Sequence, residues 1–218
     1  MNNSKRTGRA FVRFGSPDQL GRRATIAYRV PRELDGERYD VLSGVDDDPL
    51  VHEYETVWQT SFDGAGRLCI SGSESVAPDA PSAWYVAVDA ARHFGDGRRA
   101  IVVFSSEHFA RGTVIDEMEF VMLPVNNEDQ IGTVIWTKST GLITEIYVAP
   151  EHRRNDVGLL ALLGAAAYHH SFGWDGLLHN DGKRTLLGQQ FALSIDIADR
   201  IAPHVELSPP MDSEPTVN

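Results

Sequence analysis

The chain holds a single cysteine, Cys69, in 218 residues, so no disulfide can form within it. That scarcity fits a reducing, cytoplasmic setting. Long hydrophobic runs are missing too: the longest apolar stretch, Gly158–Tyr168, is about half of what a membrane-spanning helix needs. The first residues carry charge with no apolar core beside it, so no secretory leader and no membrane partner are expected. Positive charge is in short supply. Lys and Arg number 20 against 31 Asp and Glu, a net charge of -11. This argues against nucleic acid as a partner, which needs a positive field over its phosphates. Local basic clusters at Lys5–Arg9, Arg22/Arg23, Arg98/Arg99 and Arg153/Arg154 keep a phosphate-bearing small molecule open.

What is present is an ordinary globular composition, 42% hydrophobic and 23% charged, long enough to bury a substantial core. Residues 1–9 read as a disordered basic tail, 10–75 as a β-rich N-terminal segment packed on the main domain, 76–202 as that domain, and 203–218, with four prolines, as a flexible tail. Strand-like composition marks Ala24–Val30, Thr56–Phe62 and Arg67–Ser71, with Asp63–Gly66 as a hairpin turn between the last two. Asp46–Asp48 before Pro49 reads as a solvated loop, since the alternating ligand spacing of a calcium loop is missing. Trp84, Val88, Ala91 and Phe94 are spaced for one face of a helix over 82–94. Further strands are expected at Ala100–Phe104, Met118–Leu123, Ile131–Thr137 and Gly176–His179, and a closing helix over Thr185–Ile201. The order predicts an α+β (mixed α/β) fold on a single, mostly antiparallel sheet.

One stretch organises the rest. Ile143–Val148 is β-branched and aromatic, Pro150 stops it, and from Val157 the pattern is a helix former's. A turn opening onto a helix presents unpaired N–H groups and the positive end of the dipole, and Arg153 and Arg154 stand beside it. The helix that follows has Leu159, Leu160, Leu162 and Leu163 in its first turns, apolar all round, so it requires cover on two sides. The sheet would supply one; the N-terminal segment, or a second copy of the chain in a homo-oligomer, would supply the other.

The segment Val148-Ala149-Pro150-Glu151-His152-Arg153-Arg154-Asn155-Asp156-Val157-Gly158 resembles motif A of the GNAT superfamily of N-acyltransferases, over about residues 131–180. The family ends a strand in V-x-P and follows it with Arg or Gln, two residues, Gly, any residue, and Gly or Ala. Arg153 takes the first of these places and Gly158 the last, while Asp156 stands where the first glycine belongs. The resemblance implies that acetyl-coenzyme A is the acyl donor. Its pyrophosphate would be held by Arg153, Arg154 and the main chain from Asn155 through Asp156 and Val157 to Gly158, next to Val148, with Asn180 on the pantetheine side. Asp156 brings a Cβ and a negative charge to that place. Its carboxylate could instead cap the helix, competing with phosphate for the same donors.

Acyl transfer to an amine needs a base for the amine proton and an acid for the leaving thiolate. Glu145, in mid-strand and on one face with Tyr147 and Ile143, is the first choice of base; Glu119 and Glu117 are second choices. The family's acid is a tyrosine on the last helix, and this chain has Phe191 in that neighbourhood and no tyrosine beyond Tyr168. Tyr168 is expected to pack in the core. His169, His170 and His179 have no closed metal spacing, so no metal is expected, and the histidine pair is assigned to the surface or helix C-terminus. Cys69 reads as a small core residue, and Ser105 and Ser106 lack the glycines of a nucleophile elbow. The acidic surface favours a cationic acceptor, an amine-bearing small molecule or protein. The rival reading is a non-catalytic module of the same fold that has lost the coenzyme.

Overall fold

The computed structural model describes residues 10–29, 55–72, 76–90, 97–195 and 202–208. The expected helix runs from Val157 to Ser171, and twelve of its fifteen residues are buried, on every side. Two sheets supply the cover. On one side lie β1 (Ala10–Pro17), β2 (Arg23–Arg29), β3 (Glu55–Phe62) and β4 (Leu68–Gly72), an antiparallel sheet in that order. On the other lie β5 (Trp84–Val88), β6 (Arg98–Phe104), β7 (Val114–Asp116), β8 (Gln130–Thr137) and β9 (Ile143–Val148), ordered β7-β5-β6-β8-β9. All pairs in this second sheet are antiparallel except β5 with β7. The helix fills the space between the sheets, so Val12, Val57 and Ile70 of the first share one core with Ile101, Val134 and Trp136 of the second and with Leu160, Ala161 and Leu163 of the helix.

The α+β class is therefore observed, but the single sheet is corrected to two. They meet at one seam. The Ile70 N–H donates to the Gly112 carbonyl at 2.8 Å, and Cys69 bridges Thr113 just before β7. Gly112 has φ +84, and a Cβ there would run into the Ile70 carbonyl, so only glycine lets the two edges approach.

Two local expectations fail for identifiable reasons. Residues 84–88 are a strand, not part of a helix: the neighbouring residues face opposite layers, Trp84 and Val86 outward and Tyr85 and Ala87 toward the long helix. A strand buried on both faces shows no alternation, so its apolar residues also fit a helical spacing. The 91–94 part of that expectation lies outside the described residues, as do the 46–48 loop and the 1–9 tail. In place of a strand at 118–123 the chain forms α1 (Glu117–Phe120), started by Asp116, whose carboxylate accepts the Glu119 N–H at 2.8 Å. Only Phe120 and Leu123 pack inward there; Met118, Val121 and Met122 are exposed.

The other strands fall within a residue or two of expectation. The long helix is named α2 (Val157–Ser171), and the closing helix, α3, spans Leu186–Ser194 after the Thr185 cap; 196–201 lie outside the described residues. The 176–179 strand is reduced to a parallel bridge between Leu142 and His179. Lys183–Arg184 and Glu206–Leu207 form a small parallel pair, β10 and β11, which gives the start of the expected tail a fixed place.

Candidate functional site

β9 is the edge of its sheet. It pairs with β8 along its length, and among the described residues its other edge is joined only at its start, where the Ile143 N–H donates to the His179 carbonyl at 2.8 Å. After Val148 the chain makes a single 3-10 turn over Pro150–His152, four further turn residues, and α2. The Ala149 N–H bonds to the Ile131 carbonyl at 3.0 Å and fixes the exit from the strand.

Two residues of this turn have left-handed backbone, Arg154 at φ 69 and Asp156 at φ 53. The second is the position where the resembled motif has glycine. The main chain thus takes a path natural to glycine although the side chain is aspartate, one of the few types that tolerate it. Asp156 stands at the N-cap position, yet its side chain makes no cap bond to α2. The capping role weighed from the sequence is corrected: a left-handed residue does not aim its side chain back at the helix, where caps use extended backbone. The Asp156 carboxylate turns instead to the Asp79 N–H, at 3.4 Å, and its carbonyl accepts the Leu160 N–H at 2.8 Å. The N–H groups of Val157, Gly158 and Leu159 precede that first helical bond.

Around these donors the residues divide. The Arg153 guanidinium is drawn back, its Nε donating to the Val148 carbonyl at 3.2 Å. Arg154 and Asn155 are exposed. Gly158 is hemmed in: a Cβ there would meet the Phe191 ring at 3.3 Å and Val148 Cγ2 at 3.5 Å. The last helix therefore packs on the start of α2, and the side chain it brings is a phenyl ring with no proton to give.

Glu145 is half-buried at the middle of β9, opposite Ile135, about 10 Å along the strand from Val148. Tyr147 shares its face. Ile143 does not: a bulge at Thr144 pairs Ile143 with Trp136 and turns it to the α2 side. Among the described residues no donor bonds to the Glu145 carboxylate. Glu119 belongs elsewhere. It lies on α1, beside β7 at the opposite edge of the sheet, four strand spacings or ~19 Å from β9, and its carboxylate accepts from Arg67 Nη1 at 3.1 Å. The structure does not bring the two glutamates together. Asn180 sits at the opposite end of β9 from the turn, its side-chain oxygen accepting from Arg184 Nη1 at 2.8 Å and from the Gly182 N–H at 3.2 Å.

The far end of α2 places the histidine pair in the last turn of the helix, one of its two expected places, and corrects only the surface alternative. His169 and His170 are buried. His169 Nδ1 accepts the Trp136 indole proton at 3.0 Å and Nε2 meets the Asp175 carbonyl at 3.1 Å, which defines the neutral imidazole with its proton on Nε2. Burial holds its pKa below the usual histidine value. Tyr168 packs, as expected, among Trp136, Phe172 and Trp174, and burial pushes its hydroxyl up to about 12. No three His, Cys, Asp or Glu side chains converge on a metal position among the described residues, and no helix among them is long and apolar enough to cross a membrane. The residue that sequence reasoning missed is Asp79. It is 77 positions from Asp156, and nothing local in the sequence signals that contact.

No family model, no curated protein and no solved structure matches the chain.

Proposed function

We propose that the chain is an N-acyltransferase that carries an acetyl group from acetyl-coenzyme A to an amine. The observation that carries this reading is the left-handed, uncapped start of α2. At Asp156 the main chain follows a glycine path and leaves the first-turn N–H groups without a side-chain cap, an arrangement suited to an anion. The residues fit the pyrophosphate of the coenzyme at that point. Arg154 is the exposed cation beside it, and Arg153 braces the strand end that positions the turn. Bound there, the coenzyme would supply the activated thioester. Glu145, half-buried on the same edge strand and bonded to no donor among the described residues, is the group to take the proton from the attacking amine.

A second reading, a non-catalytic module of similar shape, draws on two features. The carboxylate of Asp156 stands beside the proposed phosphates, and Phe191 occupies the neighbourhood where an acid would serve the leaving thiolate. Calorimetric titration with acetyl-coenzyme A separates the two. The transferase reading expects saturable heat from the wild type, binding weakened about tenfold or more in Arg154→Ala, and tighter binding in Asp156→Gly. A flat wild-type titration, with binding restored by Asp156→Gly, selects the non-catalytic module.

A further inference from the structure

The loop leaving β6 holds a second constellation. Ser106 Oγ lies 3.0 Å from His108 Nδ1 and 3.0 Å from Trp84 Nε1. An indole nitrogen only donates, so the Trp84 proton points into the serine oxygen and occupies one of its lone pairs. With His108 in its Nε2–H tautomer, the serine's own proton is donated to His108 Nδ1. To accept it His108 must present Nδ1 unprotonated, which leaves the proton of the neutral ring on Nε2. In that tautomer the hydrogen-bond directions are those of a nucleophile facing its base.

The geometry is held from behind. Trp84 is completely buried, stacked on Phe104 at 4.8 Å between centroids and edge-on to Phe109 at 5.1 Å. The loop base is pinned by two bonds, Ser105 N–H to the Asp129 carbonyl at 2.9 Å and Ser105 Oγ to the Ser82 carbonyl at 3.0 Å. Ser106 is half-buried and His108 exposed, so the pair opens to solvent on the side away from Trp84. A rigid donor fixing one side of a hydroxyl, with a base on the other, is a preorganised arrangement.

We propose that Ser106 and His108 form a serine–histidine dyad that accepts an acyl group from an activated ester or thioester. His108 Nδ1 takes the hydroxyl proton as Ser106 Oγ bonds to the acyl carbon. The bond from that carbon to the leaving oxygen or sulfur breaks, and the leaving group departs with the proton from His108. The products are a serine ester and a free alcohol or thiol. Trp84 is a positioning residue: its N–H stays on the serine oxygen and holds the lone pair of attack in place. No carboxylate bonds to His108 among the described residues, and the serine ester is the species that peptide mapping reads. This activity uses neither Arg154 nor Glu145 and stands independently of the coenzyme site.

The test is incubation of the full chain with p-nitrophenyl acetate and, separately, with a fluorophosphonate, followed by peptide mass mapping. The expected result is one acetyl and one phosphonyl group on Ser106, neither of them in Ser106→Ala, and acylation slowed at least tenfold in His108→Gln with an unchanged circular dichroism spectrum. Trp84→Phe, which keeps the ring and removes the donor, is expected to slow acylation while leaving the modified residue the same. Acetyl groups on lysines alone, no phosphonyl group on Ser106, or equal rates in wild type and His108→Gln would each overturn the proposal.

Discussion

The two ends of α2 are built on opposite plans. At the C-terminal end His169 and Ser171 are hydrogen-bonded inside the core. His169 bridges Trp136 and the Asp175 carbonyl, Ser171 Oγ donates to Thr60 Oγ1 at 3.1 Å, and Thr60 Oγ1 accepts the Thr25 N–H at 2.8 Å. These bonds tie the helix to both sheets, because Trp136 belongs to β8 while Thr25 and Thr60 belong to β2 and β3. The helix end closes on itself too, with the Gly173 N–H on the His170 carbonyl at 2.9 Å. At the N-terminal end the backbone is left-handed at two side-chain-bearing residues, the Asp156 side chain does not cap the helix, and two arginines border the turn. One end is invested in holding the sheets together; the other leaves its first-turn N–H groups without a cap bond from Asp156.

This contrast is sharpest if the C-terminal end is damaged. His169→Ala removes a fully buried ring and strands the Trp136 indole proton in the core, so we expect a loss of about 3 kcal/mol in urea unfolding. A loss under about 1 kcal/mol would mean that this end is no better braced than the other.

A pH series gives a smaller effect with a defined sign. The folded state keeps His169 neutral, with its pKa depressed by burial. The unfolded chain takes up the proton at about pH 6.5. Its contribution to stability is therefore complete above that value and is lost as pH falls through it toward the folded pKa. Urea midpoints measured from pH 7.5 down to 5.5 should decline, and the decline should be shallower in His169→Gln.

The smallest effect is expected at the N-terminal end. In Asp156→Gly, relief of the left-handed backbone is offset by the greater freedom of glycine in the unfolded chain, leaving stability within about 0.5 kcal/mol of wild type. A loss above 1 kcal/mol would show that the Asp156–Asp79 contact is structural.

The legibility of the chain divides along the same line. Where a segment is half-buried with an ordinary period, as in β2, β3 and β8, residue types alone place it within a residue or two. The hairpin at Asp63–Gly66 and the stop at Pro150 follow from turn chemistry, and α2 with its need for cover on two sides follows from leucines that leave it no polar face. The sequence by itself determined these because each rests on contacts within a few residues. Only the tertiary structure decided that Trp84–Val88 is a strand, since burial on both faces erases its period. It alone showed that the two sheets meet at Gly112 and that the histidine pair is a buried brace. The same holds for Asp156, set as a cap candidate by its neighbours in sequence. Its left-handed backbone and its partner 77 residues away decide otherwise, because a side chain's direction depends on the path of the main chain and on what the fold brings beside it.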